Sequence, residues 1–213
     1  MSIKNLLSGI LGVAALSFSV SHSAAATLDF TQSAFVGANG NIAGTTYAIT
    51  TTGGSLTWGQ SQDGSTCIGL DCVRDGLGVG DDEITIGNEA IRIDFGTTVR
   101  VTALAFLDLF SSVNGLNQER AIVTYSSGSM FFDSLLSETP NGDSGFRADN
   151  GLNILTDFLI FTAGGTNDNV GRDDYALAAV TVTAVPLPPA LAMFVIALGG
   201  IGFLGKKRTH KEV

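Results

Sequence analysis

The chain has 213 residues, enough for one domain of ordinary size, with a formal net charge of −9 and a mean hydropathy of +0.32. Its charge is unevenly placed: residues 27–185 carry six arginines, no lysine and nineteen carboxylates, a formal −13, while both histidines, His22 and His210, fall outside that stretch. These facts exclude nucleic acid as a partner of the central segment, and with it Ser-His-Asp and Cys-His catalysis and any histidine-ligated metal.

Residues 1–26 have the three parts of a secretory signal. Lys4 stands near the start, an apolar run follows over 6–18, and Ser21-His22-Ser23-Ala24-Ala25-Ala26 supplies small residues at Ala24 and Ala26 for cleavage after Ala26. The run is too short, and its polar flank wrong, for an uncleaved membrane anchor.

From Thr27 to Val185 the composition points to short strands joined by turns. Glycine makes up 21 of these 159 residues, where roughly 7% is usual, and proline is almost absent. Ile91, Ile93 and Phe95 alternate with Arg92 and Asp94, the period-two pattern of a strand with one buried face, and 99–110 is apolar on both faces, as a central strand would be. Further strands are expected over 28–35, 45–51, 55–58, 83–86, 119–125, 129–132, 155–162 and 175–185. About ten strands and no sustained 3.6-residue stripe predict a single all-β domain, an antiparallel β-sandwich of jelly-roll type, over 27–185.

Within it, Trp58 ends a strand, where it could pack in the core or face a ligand; with Tyr47, Tyr125 and Tyr175 it is among the few aromatic side chains with a polar edge. Cys67 and Cys72 are the two cysteines of the chain, and in an exported protein they predict a disulfide closing a small loop, worth about 2 kcal/mol by loop entropy. The densest set of chemical groups follows: Asp75, Asp81, Asp82 and Glu83, spaced by glycines that permit tight turns, are candidate ligands for a hard cation such as calcium. Their spacing is not that of an EF-hand. A second acidic loop, residues 167–174, precedes the last strand. The competing expectation is an acidic, solvated surface with Arg74 and Arg172 as local counterions.

The C-terminal end reads Val185-Pro186-Leu187-Pro188-Pro189-Ala190, an apolar run over 190–204, and the basic group Lys206-Lys207-Arg208. Fifteen apolar residues span about 22 Å, a marginal crossing, so a transmembrane helix over 190–204 draws on its flanks or on local bilayer thinning. The basic residues place the C-terminus in the cytoplasm and the acidic segment outside.

This tripartite end, residues 186–213, resembles the PEP-CTERM sorting signal of Gram-negative bacteria: a short proline motif, one weak membrane helix and a basic cluster. Leu187 stands where the name-giving motif has Glu, as in the "VPLP" versions of that signal. The resemblance implies that Val185, Pro186, Leu187, Pro188 and Pro189 form a sorting motif recognised by an exosortase, a membrane processing enzyme that removes the helix. The run "DGLGVGDDEI" at 75–84 is similar to a stretch found in cargo proteins of this kind, where it precedes a strand. The expected role is that of a noncatalytic surface or matrix protein associated with exopolysaccharide or envelope, passing through the inner membrane on its way. A calcium-dependent carbohydrate-binding module is the second expectation, and a glycoside hydrolase working through two acidic residues the third.

Overall fold

A computed structural model describes residues 24–59, 67–111, 118–137, 145–165 and 173–185. Most of the signal segment, the acidic loop through residue 172, and the whole of 186–213, with Pro186 to Pro189 and the helix expected over 190–204, lie outside the described residues. These contain twelve strands and no helix.

In chain order the strands are β1 (Ala26–Asp29), β2 (Asn39–Ile42), β3 (Thr45–Thr52), β4 (Leu56–Trp58), β5 (Leu77–Val79) and β6 (Ala90–Leu107). They continue as β7 (Phe110–Ser111), β8 (Glu119–Tyr125), β9 (Gly128–Asp133), β10 (Leu136–Ser137), β11 (Arg147–Gly165) and β12 (Ala176–Ala184). Ten of them form one antiparallel sheet in the order β4-β5-β12-β6-β11-β8-β9, with β1 on β12, β3 on β6 and β2 on β3. The remaining two, β7 and β10, make a short parallel pair.

The long strands β6 and β11 organise the sheet. β11 runs along one flank of β6, while the other flank is shared, β3 pairing with 90–95 and β12 with 99–107. The sequence pattern predicts two strands here, and the structure joins them into one. The reason lies at Gly96, Thr97 and Thr98, which are exposed, and at Gly96 in particular, where a Cβ would stand 2.2 Å from Thr46 Oγ1. β11 shifts register twice opposite this region, between Asn150 and Ile154 and between Thr156 and Phe158, as bulged strands do where they bend. Side chains from the two halves of the sheet meet. Phe106, late in β6, meets Phe132 of β9 with ring centroids 5.1 Å apart, and Tyr175 Oη donates to the Thr162 carbonyl at 3.1 Å.

One core therefore draws on both halves: Ile91, Ile93, Val123, Leu159 and Phe161 from one, Leu77, Val101, Phe106 and Val180 from the other, all fully buried. Each such side chain contributes roughly 1.5–3 kcal/mol by leaving water. A second, smaller cluster of Ala105, Leu107, Ala176, Ala178 and Ala179 lies under Cys67, Leu70, Cys72 and Phe146. This is why the start of β12 is buried on both faces and reads as an uninterrupted apolar run.

Candidate functional site

Three places hold the side chains that the sequence singles out, and the loop between the cysteines is the first. Cys67 and Cys72 are joined, with Cα atoms 5.7 Å apart. The turn between them needs two left-handed residues, Gly69 at φ 88° and Cys72 at φ 53°. The loop is held from outside by Asp29 and Thr31, both buried, which sequence reasoning missed. Asp29 Oδ1 accepts from the Thr31 amide at 2.8 Å and hydroxyl at 2.6 Å, and Oδ2 accepts from the Asp71 amide at 3.0 Å. Thr31 Oγ1 in turn accepts from the Cys72 amide at 3.0 Å, and the Thr31 carbonyl from the amides of Val73 and Arg74 at 2.8 and 2.9 Å. The signal that could have found them is the Asp-x-Thr spacing at Asp29-Phe30-Thr31, a side chain capping its own backbone two residues on, which also stops β1 short of the expected residue 35.

The acidic segment 75–84 is the second place. Instead of an open loop it contains β5, with Leu77 and Val79 fully buried. Its glycines serve close packing: a Cβ on Gly76 would lie 2.4 Å from the Leu177 carbonyl oxygen, and one on Gly78 2.2 Å from the backbone of Asp82 and Glu83. The Val79 amide donates to the Glu83 carbonyl at 2.7 Å, folding 80–83 back over β5. The strand expected over 83–86 is not a ladder strand, yet the amides of Ile84 and Ile86 donate to the carbonyls of Tyr175 and Asp173, both at 2.8 Å.

The four candidate cation ligands are thereby divided. Asp75 is buried ahead of β5, while Asp81, Asp82 and Glu83 follow it, with Asp81 exposed. Burial, and then the charges of Asp174, Asp108, Asp82 and Asp81, push the Glu83 carboxyl up from 4.5 to about 9. These carboxylates feel one another, but among the described residues no three acidic, thiol or imidazole groups converge closely enough to hold a metal ion.

The third place is a cleft of about 430 Å³ lined by Thr57, Trp58, Gly59, Arg74, Gly80, Asp81 and Asp82. Trp58 is half-buried; its Nε1 donates to the Phe30 carbonyl at 2.8 Å, and the Arg74 guanidinium lies 4.8 Å from its ring centroid. Phe35 packs on it as well, at 5.9 Å between ring centroids. Arg74 is thus committed to Trp58 as a stacked cation, beyond its expected part as a counterion. Of the other aromatics, Tyr47 and Tyr175 are core residues whose hydroxyls donate to backbone carbonyls, and burial raises both phenols. Tyr175, fully buried, is not available to a ligand, whereas Tyr47 lines a cleft of about 410 Å³ with Asn39, Asp94 and Phe95.

The chain matches no family model and no curated protein.

Proposed function

We propose that residues 27–185 form the exported, noncatalytic part of a surface or matrix protein, and that the sheet closes on itself as a β-sandwich. The observation that carries this reading is the lysine-free, disulfide-joined, strongly acidic domain set between two apolar runs, with its first and last strands, β1 and β12, paired to each other. A disulfide belongs to an oxidising compartment, and a −13 surface stays soluble and repels nucleic acid. The proline motif from Val185 to Pro189 and the basic end then act in sorting, with an exosortase-type enzyme as processing partner and exopolysaccharide or envelope as destination. Mass spectrometry of the mature protein tests this: the expected species begins at Thr27, lacks Lys206 to Val213 and carries the Cys67–Cys72 link. A mature form that retains the basic end removes the sorting step.

A second reading, saccharide binding, is favoured by the cleft in which Trp58, Arg74, Asp81 and Asp82 bring an aromatic edge, a cation and two carboxylates together. Glycan-array binding lost in both Trp58→Ala and Asp82→Ala would select it. Loss on calcium removal as well would make the binding calcium-dependent. Hydrolysis of a glycan abolished by Glu83→Gln would replace both readings with the hydrolase.

A further inference from the structure

Strand β12 brings both ends of the described chain to one side of the domain. Ala26 lies opposite Val182 and the two strands are antiparallel, so the chain before Ala26 and the chain after Ala184 leave the sheet in the same direction, about 5 Å apart. The bend in β6 is at this same end, since Val99 pairs with Ala184 and Gly96, Thr97 and Thr98 follow on its far side. The two halves of the sheet fold back from here and meet again at the other end, where Phe106 touches Phe132 and Tyr175.

The two ends differ in chemistry. At the bend, the register aligns Thr183, Arg100 and Leu155 in one row beside exposed Thr97 and Thr98, and Leu155 is 47% exposed. Asp157 is the nearest carboxylate in β11. At the opposite end Asp81, Asp82, Asp108 and Asp174 crowd around Glu83. The length of β12 from Tyr175 to Ala184, about 30 Å at ~3.3 Å per residue, separates them.

Past Val185, Pro186 to Pro189 are the four residues that precede the apolar run 190–204. Four residues reach no further than about 14 Å even at full extension. That is half the length of β12, too short for the domain to turn over on its tether. We infer that the domain sits on the bilayer by its bent end, with Thr97, Thr98, Arg100, Leu155 and Thr183 against the lipid headgroups and the carboxylate-crowded end held outward. The inference rests on the reading of 190–204 as a membrane segment. An anionic headgroup layer reinforces the orientation, because it repels the several carboxylates of the Glu83 end more than the bend, where Arg100 offsets exposed Asp157.

The test uses the signal-cleaved chain, residues 27–213, in phosphatidylethanolamine and phosphatidylglycerol vesicles bearing a headgroup energy acceptor, with a fluorophore on Thr98→Cys or on Ile86→Cys. Ile86 is exposed at the acidic end, where its amide meets the Asp173 carbonyl. Energy transfer at least three-fold stronger from position 98 is the expected result. Inserting twelve Gly-Ser residues between Val185 and Pro186 should abolish the difference, and a difference that survives the insertion overturns the tether as its cause. Equal transfer from both positions in vesicle-bound protein overturns the orientation and leaves membrane anchorage standing. Chain that stays in the supernatant when the vesicles are sedimented overturns anchorage, and the orientation with it.

Discussion

Asp29 shows how much of this domain rests on single polar side chains placed where water cannot reach. One carboxylate accepts three hydrogen bonds and connects the first strand to the loop closed by Cys67 and Cys72. Replacing it by alanine leaves the Asp71 and Thr31 donors without that acceptor, at a cost of about 2–3 kcal/mol. The urea midpoint of Asp29→Ala should fall accordingly, and hydrogen exchange at the Asp71 and Cys72 amides should accelerate more than exchange in β8. Glu83 makes the complementary point, because it is destabilised by its own charge. With a carboxyl pushed from 4.5 to about 9, the folded chain holds a proton that the unfolded chain has already released anywhere between those values. Each rise in pH across that window therefore favours unfolding: the contribution of Glu83 is fully present below about 4.5 and is lost as pH climbs through about 9. The slope is on the order of 1 kcal/mol per pH unit. Urea unfolding at pH 5 and pH 8 should show the wild type losing stability and Glu83→Gln losing much less. Equal losses in the two proteins would remove Glu83 as the cause.

At the scale of elements, the glycines of 76–80 do two jobs: Gly76 and Gly80 take the positive φ that brackets β5, and Gly78 supplies clearance within it. Gly78→Ala puts a methyl group 2.2 Å from the backbone of Asp82 and Glu83, which no rotamer can relieve, and should cost more than about 3 kcal/mol or prevent folding. Gly44→Ala meets nothing within 4 Å and should cost only the ~1 kcal/mol of its left-handed φ of 79°. Thermal melts of the two variants separate these effects. The same comparison explains what the sequence made legible. Strands with one buried face, β3, β8 and the first half of β6, are legible to within a residue or two, because period-two alternation is a direct image of a half-buried strand. β2, with the sequence NGNI, and the first half of β11, RADNGLNI, carry turn residues and become strands only because a neighbour offers them a ladder. β5 was hidden by its glycines. In the same way, the spacing of acidic residues along the chain says nothing of the strand that passes between Asp75 and Asp81. The Trp58–Arg74 stack joins residues sixteen apart across the sheet, and no local pattern announces it.

For the molecule as a whole, the pairing of β1 with β12 means that a domain whose polypeptide begins at one apolar segment and ends at another is closed by its own two ends. Four Cα pairs, from Ala26–Val182 to Asp29–Ala179, make this closure, and Thr27 Oγ1 and Thr181 Oγ1 add a side-chain hydrogen bond at 2.9 Å. Antiparallel neighbours can be joined by a tight turn, so the ends should be linkable without disturbing the sheet. A circular permutant follows: Val185 joined to Thr27 through a four-residue Gly-Asn-based turn, with new termini opened between Ser126 and Ser127 in the exposed β8–β9 turn. That turn is stabilised by Ser126, whose amide and hydroxyl both bond Thr156 Oγ1, so some loss is built into the new opening. The permuted domain should keep the far-ultraviolet signature of β-sheet, the Cys67–Cys72 link and a cooperative melt a few degrees below that of residues 27–185. Four residues cannot bridge ends on opposite sides of a domain of this size. A permutant that remains unfolded, while the unlinked chain cut at Ser126 still folds, would show that β1 and β12 are not neighbours.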